Sequence, residues 1–200
     1  MTGHPGERRN RAIALVTDDF RLYHELVPFF AQHGHTVLVL KPGEVVPSSV
    51  RALMAGPAGD ARTVSLHSTF ESTLLACLTH LDRKPDGSAY RRVVLGVDPG
   101  QVIGLAAVAD GRALLVGTDR AVDAAVERLA AWTTGLEASE CAIHIGAGAP
   151  AVGRALFAAV RQRLPGWKAS LVHEEATTPV AHVSGSRHTD AAIHIALRRP

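Results

Sequence analysis

Three acidic residues that lie far apart in the chain have types and positions that suggest chemistry. Asp98 ends the apolar run VVLGVD and precedes Pro-Gly, Glu174 ends SLVHE, and Asp190 lies near the start of the helical segment RHTDAAIHIAL. Carboxylates gathered at one sheet edge repel each other unless a divalent cation holds them together. Hard oxygen ligands suit Mg²⁺ or Mn²⁺. The three acids therefore predict a divalent-metal site.

The elements that would position these acids fall into two groups. The stretch 82–92, DRKPDGSAYRR, is polar and contains Pro85 and Gly87, which is typical of an exposed connection between packed units. We therefore predict a small α/β N-terminal domain over 1–85 and a second domain over 86–200.

The second domain begins with three strand-like runs, VVLGVD, VIGLAAVAD and RALLVGT, joined by Pro-Gly and Asp-Gly. Turns this short predict antiparallel neighbours. Helical and strand-like segments then alternate, which predicts parallel strands. The apolar run from Val93 to Val97 indicates a central strand with Asp98 at its end. The expected fold class is α/β, with an antiparallel three-strand meander followed by parallel strands with helices.

The first domain is predicted to have short parallel strands IALVTD, TVLVL and RTVSL and two helices, RLYHELVPFFAQHG and Phe70 to about Leu81. Asp18 and Asp19 follow the first strand. A phosphoacceptor receiver domain places acids there, but it also needs an aspartate that ends its third strand and a lysine that ends its fifth. The third predicted strand, in RTVSLHSTF, ends in Ser65, His67 and Ser68, so we predict no receiver domain. The acids are assigned to a helix cap and a solvated turn, and this half to no catalysis.

Composition excludes several classes of protein. The net charge of +2 is too small to indicate a nucleic-acid binder by itself, although short basic clusters occur. No apolar run approaches the roughly 18 residues that span a membrane, and the first residues lack a signal-peptide core, so a cytoplasmic location is expected. Cys77 and Cys141 have no CxxC spacing and are expected to be core residues.

Three segments resemble the RuvC/YqgF branch of the ribonuclease H-like nuclease superfamily. VLGVDPGQVIGLAAV is similar to the branch's first strand and turn, HEEATT to its second acidic element, and RHTDAAIHIAL to its closing helix. The resemblance covers residues 91 to about 200 and implies a ribonuclease H-like mixed sheet. More loosely, the leading unit resembles the N-terminal extension of certain archaeal RuvC-like nucleases and Holliday junction resolvases.

This resemblance implies a metal-dependent endonuclease, most similar to a Holliday junction resolvase that acts in DNA recombination and repair as a homodimer on branched DNA. Two Mg²⁺ or Mn²⁺ ions, about 3.5–4 Å apart, would activate water and stabilise the leaving oxygen. Asp98 would bridge the ions, and Glu174 and Asp190 would each complete one. His188 is a further candidate ligand.

The sequence also departs from the pattern. His144 stands where the RuvC type has an acid inside the fourth strand, and Arg187 stands where that type has an acid or a histidine. Glu175 could replace Glu174 if the strand ends one residue later. These departures favour a YqgF-like, RNA-processing nuclease or a catalytically degenerate nucleic-acid-binding module as alternatives.

A second site-like segment, GAGAPAVGRAL, follows the strand CAIHI. Gly146, Gly148 and Ala151 match a dinucleotide fingerprint, which is a rival enzyme hypothesis. A tight strand-to-helix turn with Pro150 at the first helical position explains the same residues. The candidate nucleic-acid contacts are Arg91, Arg92, Gly146, Gly148 and Arg187.

Overall fold

The structure is a computed structural model that describes residues 12–172 and 186–198. The described chain forms nine strands and five helices. The strands are β1 (Ala12–Val16), β2 (Val37–Leu40), β3 (Val50–Met54), β4 (Thr63–Val64), β5 (Tyr90–Asp98), β6 (Ile103–Ala109), β7 (Arg112–Asp119), β8 (Ala138–Gly146) and β9 (Lys168–Val172). The helices are α1 (Phe20–Gln32), α2 (Phe70–Asp82), α3 (Val122–Thr133), α4 (Pro150–Arg163) and α5 (Arg187–Leu197).

The first sheet has four parallel strands in the order β2-β1-β3-β4. The parallel α/β unit expected from the sequence is confirmed, but the count of its strands is wrong. VRALM was not predicted as a strand but is the third strand. RTVSL contributes only the two-residue fourth strand Thr63–Val64. One hydrophobic residue precedes Arg51 and three follow it, in a short run with no alternation, so this strand gives a weak periodic signal.

Helix α1 connects the first two strands of this sheet. Leu26 and Phe30 are buried on one face, as their helical spacing predicted. Gly34 follows the helix with a φ of +79°, the left-handed conformation that favours glycine after a helix end. The helix therefore begins after the acidic pair and ends where the sequence indicated.

The second sheet has five strands in the order β7-β6-β5-β8-β9. The pairs β5–β6 and β6–β7 are antiparallel, whereas β5–β8 and β8–β9 are parallel. An antiparallel meander followed by parallel strands is therefore confirmed. The protein is an α/β protein with one parallel and one mixed sheet.

Helix α5 lies unusually close to the second sheet, over two glycines. A Cβ atom at Gly96 would overlap the carbonyl oxygen of Ala192, and one at Gly104 would overlap that of His188. The absence of side chains at both positions lets the helix backbone approach the strands directly. The start of α5 is thereby held beside the end of β5.

Helix α2 joins the two sheets. The predicted boundary falls in residues 83–89, which have no helix or strand. One hydrophobic core nevertheless runs from Leu15 through Leu74 and Leu75 of α2 to Leu95. A division of the chain into two independently folding domains stays a prediction.

Two further expectations concern the cysteines and the membrane. Cys77 is buried, and burial raises the pKa of its thiol to about 12, while Cys141 is only half-buried. Both thiols are free of disulfides. No helix in the described part of the chain combines the length and hydropathy that crossing a membrane requires.

Replacing Gly96 tests the close approach of α5. Gly96→Ala should lower the free energy of unfolding by about 1–3 kcal/mol, because the new methyl group forces α5 away from the sheet. Urea denaturation measures the change. The matched control is Gly166→Ala, where a Cβ meets nothing within 4 Å. An equal loss in both variants would contradict this role.

Candidate functional site

Of the three predicted acidic ligands, the structure describes two, Asp98 and Asp190, and both lie near the start of α5. Asp98 ends β5, and its Oδ2 lies 3.4 Å from Nδ1 of His188 in the first turn of α5. Asp190 is buried in the same turn. Glu174 and Glu175 lie outside the described residues. Among the residues that are described, no group of three or more histidine, cysteine, aspartate or glutamate side chains could hold a metal, so the Mg²⁺ or Mn²⁺ site stays a prediction.

His144 has a structural contact in place of a bridging acid. It is buried in β8, and its Nδ1 lies 3.2 Å from the carbonyl oxygen of Ile195 in α5. Burial lowers the pKa of His144, the bond to Ile195 opposes this, and the charge of Arg92 lowers the pKa further. This histidine therefore attaches α5 to the sheet and is neutral at neutral pH.

The candidate nucleic-acid contacts have separate local settings. Arg92 lies 3.9 Å from Glu140, measured from Nε to Oε2, and Nε of Arg187 lies 3.4 Å from Nε2 of His188. Arg91 is exposed at the start of β5. These contacts give no sign of a shared nucleic-acid surface, and their assigned role stays a prediction.

The glycine-rich stretch after β8 is a strand-to-helix turn. Gly146 is the last residue of β8, Gly148 lies in the turn, and α4 begins at Pro150. The placement of Pro150 at the helix start is the arrangement that the simpler interpretation predicted. The observed turn therefore gives no support to the hypothesis of a dinucleotide-binding site.

A different site lies at the carboxyl end of the first sheet, where Thr17, Asp18 and Asp19 follow β1. Oδ1 of Asp19 accepts hydrogen bonds from the backbone N–H groups of Arg21 at 2.8 Å and Leu22 at 3.3 Å. This confirms Asp19 as the N-cap of α1. Asp18 is exposed, and its side chain is not the one that caps α1.

A pocket of about 640 Å³ opens beside these acids, in the size range of ligand sites. The ends of β1 and β2 and the start of α1 form it, as is usual for the carboxyl edge of an open α/β sheet. Its charged and aromatic lining consists of Asp18, Asp19, Phe20, Tyr23, Lys41 and Glu44. Glu44 Oε2 accepts a 3.0 Å bond from the backbone N–H of Lys41, which closes the loop on one side.

The aromatic side of this pocket is exposed. Phe20 is 72% exposed, and its ring lies 4.1 Å from the ring of His24 and 6.1 Å from that of Tyr23, between centroids. Val45, in the loop after β2, is 89% exposed. We call Phe20, Tyr23, His24 and Val45 the α1 surface.

The end of β3 lacks the aspartate of a phosphoacceptor. The strand is followed by Ala55, which has a φ of +53°, and then by Gly56. The next acid, Asp60, is bound by Arg62 through bonds of 2.6 Å and 3.0 Å. The bonds to Arg62 lower the pKa of Asp60 to about 2. The nearest carboxylate after β3 is therefore already paired.

Comparison with protein families gives one match, to a response regulator receiver-like domain over residues 12–73. Residues 12–73 resemble a receiver-like domain. The match covers less than half of the chain. No curated protein and no solved structure matches the chain.

The match overturns the identification as a RuvC/YqgF nuclease, and with it the predicted endonuclease and Holliday junction resolvase function. The three motifs also have local structural uses: Asp98 contacts His188, and Asp190 lies in the first turn of α5, where an acid favours the helix dipole. HEEATT lies outside the described residues.

The prediction that the first half is no receiver domain is also wrong. That prediction depended on the lack of an aspartate at the end of RTVSL, but this segment contains the fourth strand and not the third. The aspartate is missing after the true third strand as well, so the match concerns the fold, and phosphoryl transfer at that position lacks its acceptor.

Sequence reasoning missed the aromatic side of the site. Phe20 and His24 are four residues apart and lie on a face of α1 away from Leu26. Tyr23, three residues before Leu26, lies at the edge of the core face. An aromatic pair with helical spacing outside the core face is the signal that would have indicated an exposed surface.

The ion pair after β3 gives a pH-dependent prediction. The pKa of Asp60 falls from 3.8 to about 2 on folding. Its contribution to the free energy of unfolding is therefore fully present above pH 3.8 and is lost as the pH falls through 2. Asp60→Asn should therefore lower stability at neutral pH, and the difference from the parent should shrink between these values. Thermal unfolding across this range measures it. A pH-independent loss in Asp60→Asn would contradict the assignment.

Proposed function

We propose that this protein acts in signalling, through a receiver-like part that binds a partner and does not accept a phosphoryl group. The similarity of residues 12–73 to a response regulator receiver-like domain carries this proposal. The strand order β2-β1-β3-β4 and the acids after β1 agree with it. The prediction that the chain is an enzyme stays a prediction, and no hydrolytic step belongs to the proposal.

The contacts of the acids near the pocket support binding without phosphoryl transfer. Asp19 is used in capping α1, and Asp60 is paired with Arg62. A covalent acceptor after β3 is missing, since Ala55 and Gly56 stand there. Asp18 and Glu44 place negative charge at the pocket. The site can therefore attract a cationic group of a partner, but it has no carboxylate in the position of a phosphoryl acceptor.

The α1 surface favours a protein partner over a small molecule. Phe20 and Val45, at 72% and 89% exposed, extend apolar area beyond the pocket itself. Exposed apolar patches of this kind mark interaction sites. The neighbouring carboxylates of Asp18 and Glu44 favour a partner segment that combines apolar side chains with lysine or arginine. Nucleic acid, a homodimer and a cytoplasmic location stay predictions outside this proposal.

Helix α2 is the route by which partner binding would reach the second sheet. Trp132 Nε1 donates a 2.7 Å hydrogen bond to Oε2 of Glu71, and Nε of Arg128 lies 3.7 Å from the same oxygen. At the other end of α2, Asp82 accepts from Tyr90 and forms an ion pair with Arg112. Both ends of α2 are thus attached to the second sheet and its helix α3.

At the level of fold alone, we further propose that β5 to β9 form a ribonuclease H-like sheet. The support is the meander followed by parallel strands, in the order β7-β6-β5-β8-β9. Nuclease activity is excluded from this statement, because the family match points to a receiver-like protein instead.

The first prediction from this proposal concerns phosphoryl transfer. Incubation of the full chain with a small-molecule phosphodonor and Mg²⁺ should give no covalent phosphoprotein, because β3 is followed by Ala55-Gly56. Intact-mass spectrometry makes the measurement. Ala55→Asp, which supplies a carboxylate at that place, is the comparison variant. A phosphoryl adduct on the parent chain would contradict the proposal.

The second prediction concerns the partner. A photo-crosslinking amino acid introduced at position 20 or at position 45 should form an adduct with one protein in cells, because both positions lie on the α1 surface. The matched control is position 171, a leucine that is 42% exposed on β9. Mass spectrometry of the adducts should place a lysine- or arginine-containing segment at the crosslink.

Two results would count against a partner site on the α1 surface. One is the same adduct from position 171 as from positions 20 and 45. The other is no adduct from either α1-surface position while the chain is folded and present.

A further inference from the structure

A polar groove lies on the second sheet, on the face that α5 covers. The helix packs on β5 and β6 and reaches β8, so among the described residues the β9 end of this face stays open. The groove has a volume of about 380 Å³. Its polar lining is Arg92, Glu140, His144, Lys168 and Ser170, which we call the β9 groove.

Strand register places these side chains side by side. His144 is the register partner of Ser170, and Lys168 is the register partner of Ala142, two residues from His144. Neighbouring strands lie about 4.8 Å apart, and side chains two residues apart point to the same face. Arg92 is opposite Glu140 at the other side of the groove. The five polar side chains of the groove therefore face one space from the adjacent strands β5, β8 and β9.

Besides the carboxylate of Glu140, which is an acceptor beside Arg92, the groove offers three donors and one acceptor. Arg92 and Lys168 carry positive charge and only donate, and the hydroxyl of Ser170 can donate. His144 must donate through Nδ1 to the carbonyl oxygen of Ile195, which can only accept. In the neutral ring, Nε2 then carries a lone pair, and no hydrogen-bond partner for it occurs among the described residues.

We propose that the β9 groove binds a phosphate group that carries a proton, as in inorganic hydrogen phosphate or a phosphate monoester. Its anionic oxygens accept from Arg92, Lys168 and Ser170, and its P–O–H group donates to Nε2 of His144. Charge-assisted bonds to an oxyanion are stronger than neutral ones. The proposal does not depend on the receiver-like part, because none of these residues belongs to the α1 surface.

A structural explanation of the same charges is protection of the sheet edge. Strand β9 lies at the edge of the sheet that the described strands form, and charged side chains on edge strands prevent pairing with other chains. That role needs no ligand and makes no distinction between anions. Saturable and selective binding therefore separates the two explanations.

The experiment is a titration of the full chain with inorganic phosphate and, at matched ionic strength, with sulfate, followed by two-dimensional NMR. Phosphate should bind saturably, with shifts concentrated at Arg92, His144, Lys168 and Ser170. Sulfate carries no proton at neutral pH and leaves Nε2 of His144 without a donor, so it should bind about tenfold more weakly. O-Phosphoserine in a third titration shows whether an ester is preferred to free phosphate.

Three variants sharpen the result. Lys168→Gln should weaken phosphate binding about tenfold, because it removes a cationic donor. Glu140→Gln should strengthen binding, because Glu140 competes for Arg92 from 3.9 Å away. Arg163→Gln, which removes a charge at the end of α4, is the control and should bind as the parent does.

Any of four outcomes would overturn the proposal. They are no saturation with phosphate up to about 10 mM, the weak end of specific affinity, equal affinity for sulfate, weaker binding by Glu140→Gln, and an equal loss in the Arg163→Gln control. The third outcome would mean that Glu140 does not compete with the anion for Arg92, and the fourth would indicate a general charge effect. None of these results bears on partner binding at the α1 surface.

Discussion

The packing of helix α2 between the two sheets is the interaction on which the rest of the structure depends. Its apolar residues, including Leu74, Leu75 and Cys77, are buried in the core that the sheets share. Its hydroxyl groups also bond to the end of α3 and the turn after it: Ser72 donates to the carbonyl of Ala131 at 2.8 Å, and Thr79 to that of Gly135 at 2.9 Å. These bonds join α2 to the second half of the chain at two points, in addition to the shared apolar core.

The two carboxyl edges of the protein show how local needs compete with chemistry for the same acids. Asp19 caps α1, Asp60 is held by Arg62, and Asp98 contacts His188. A carboxylate that already accepts hydrogen bonds from a cap or a guanidinium is less available to a metal or a phosphoryl group. This is why acids at strand ends, taken alone, indicated more catalysis than the structure supports.

The same reasoning shifts attention from acids to surfaces. Residues 12–73 present aromatic rings beside the exposed carboxylate of Asp18, and the second sheet presents cations beside a neutral histidine. In both places the packing of helices on the sheets fixes the backbone that carries the exposed side chains. Helix α2 packs in the core that the two sheets share, and α5 lies close against the second sheet.

The sequence by itself determined the regular elements that depend on local patterns. The apolar run from Val93 to Val97 predicts the central strand, and the Pro-Gly and Asp-Gly turns predict the antiparallel meander, because short turns allow only one geometry. Asp19 and Gly34 predict the ends of α1 through their capping preferences. Strand β3, in contrast, has no alternation and is stabilised by neighbours on both sides, so only the sheet decides that it is a strand.

Tertiary structure alone decided which side chains meet. The contact between Asp98 and His188 and the alignment of His144 with Ser170 depend on strand register and on the glycines that admit α5. The exposure of Phe20 depends on which face of α1 the sheet covers. Separation along the chain carries no information about these distances, because they are set by packing between elements and not by the residues next to them.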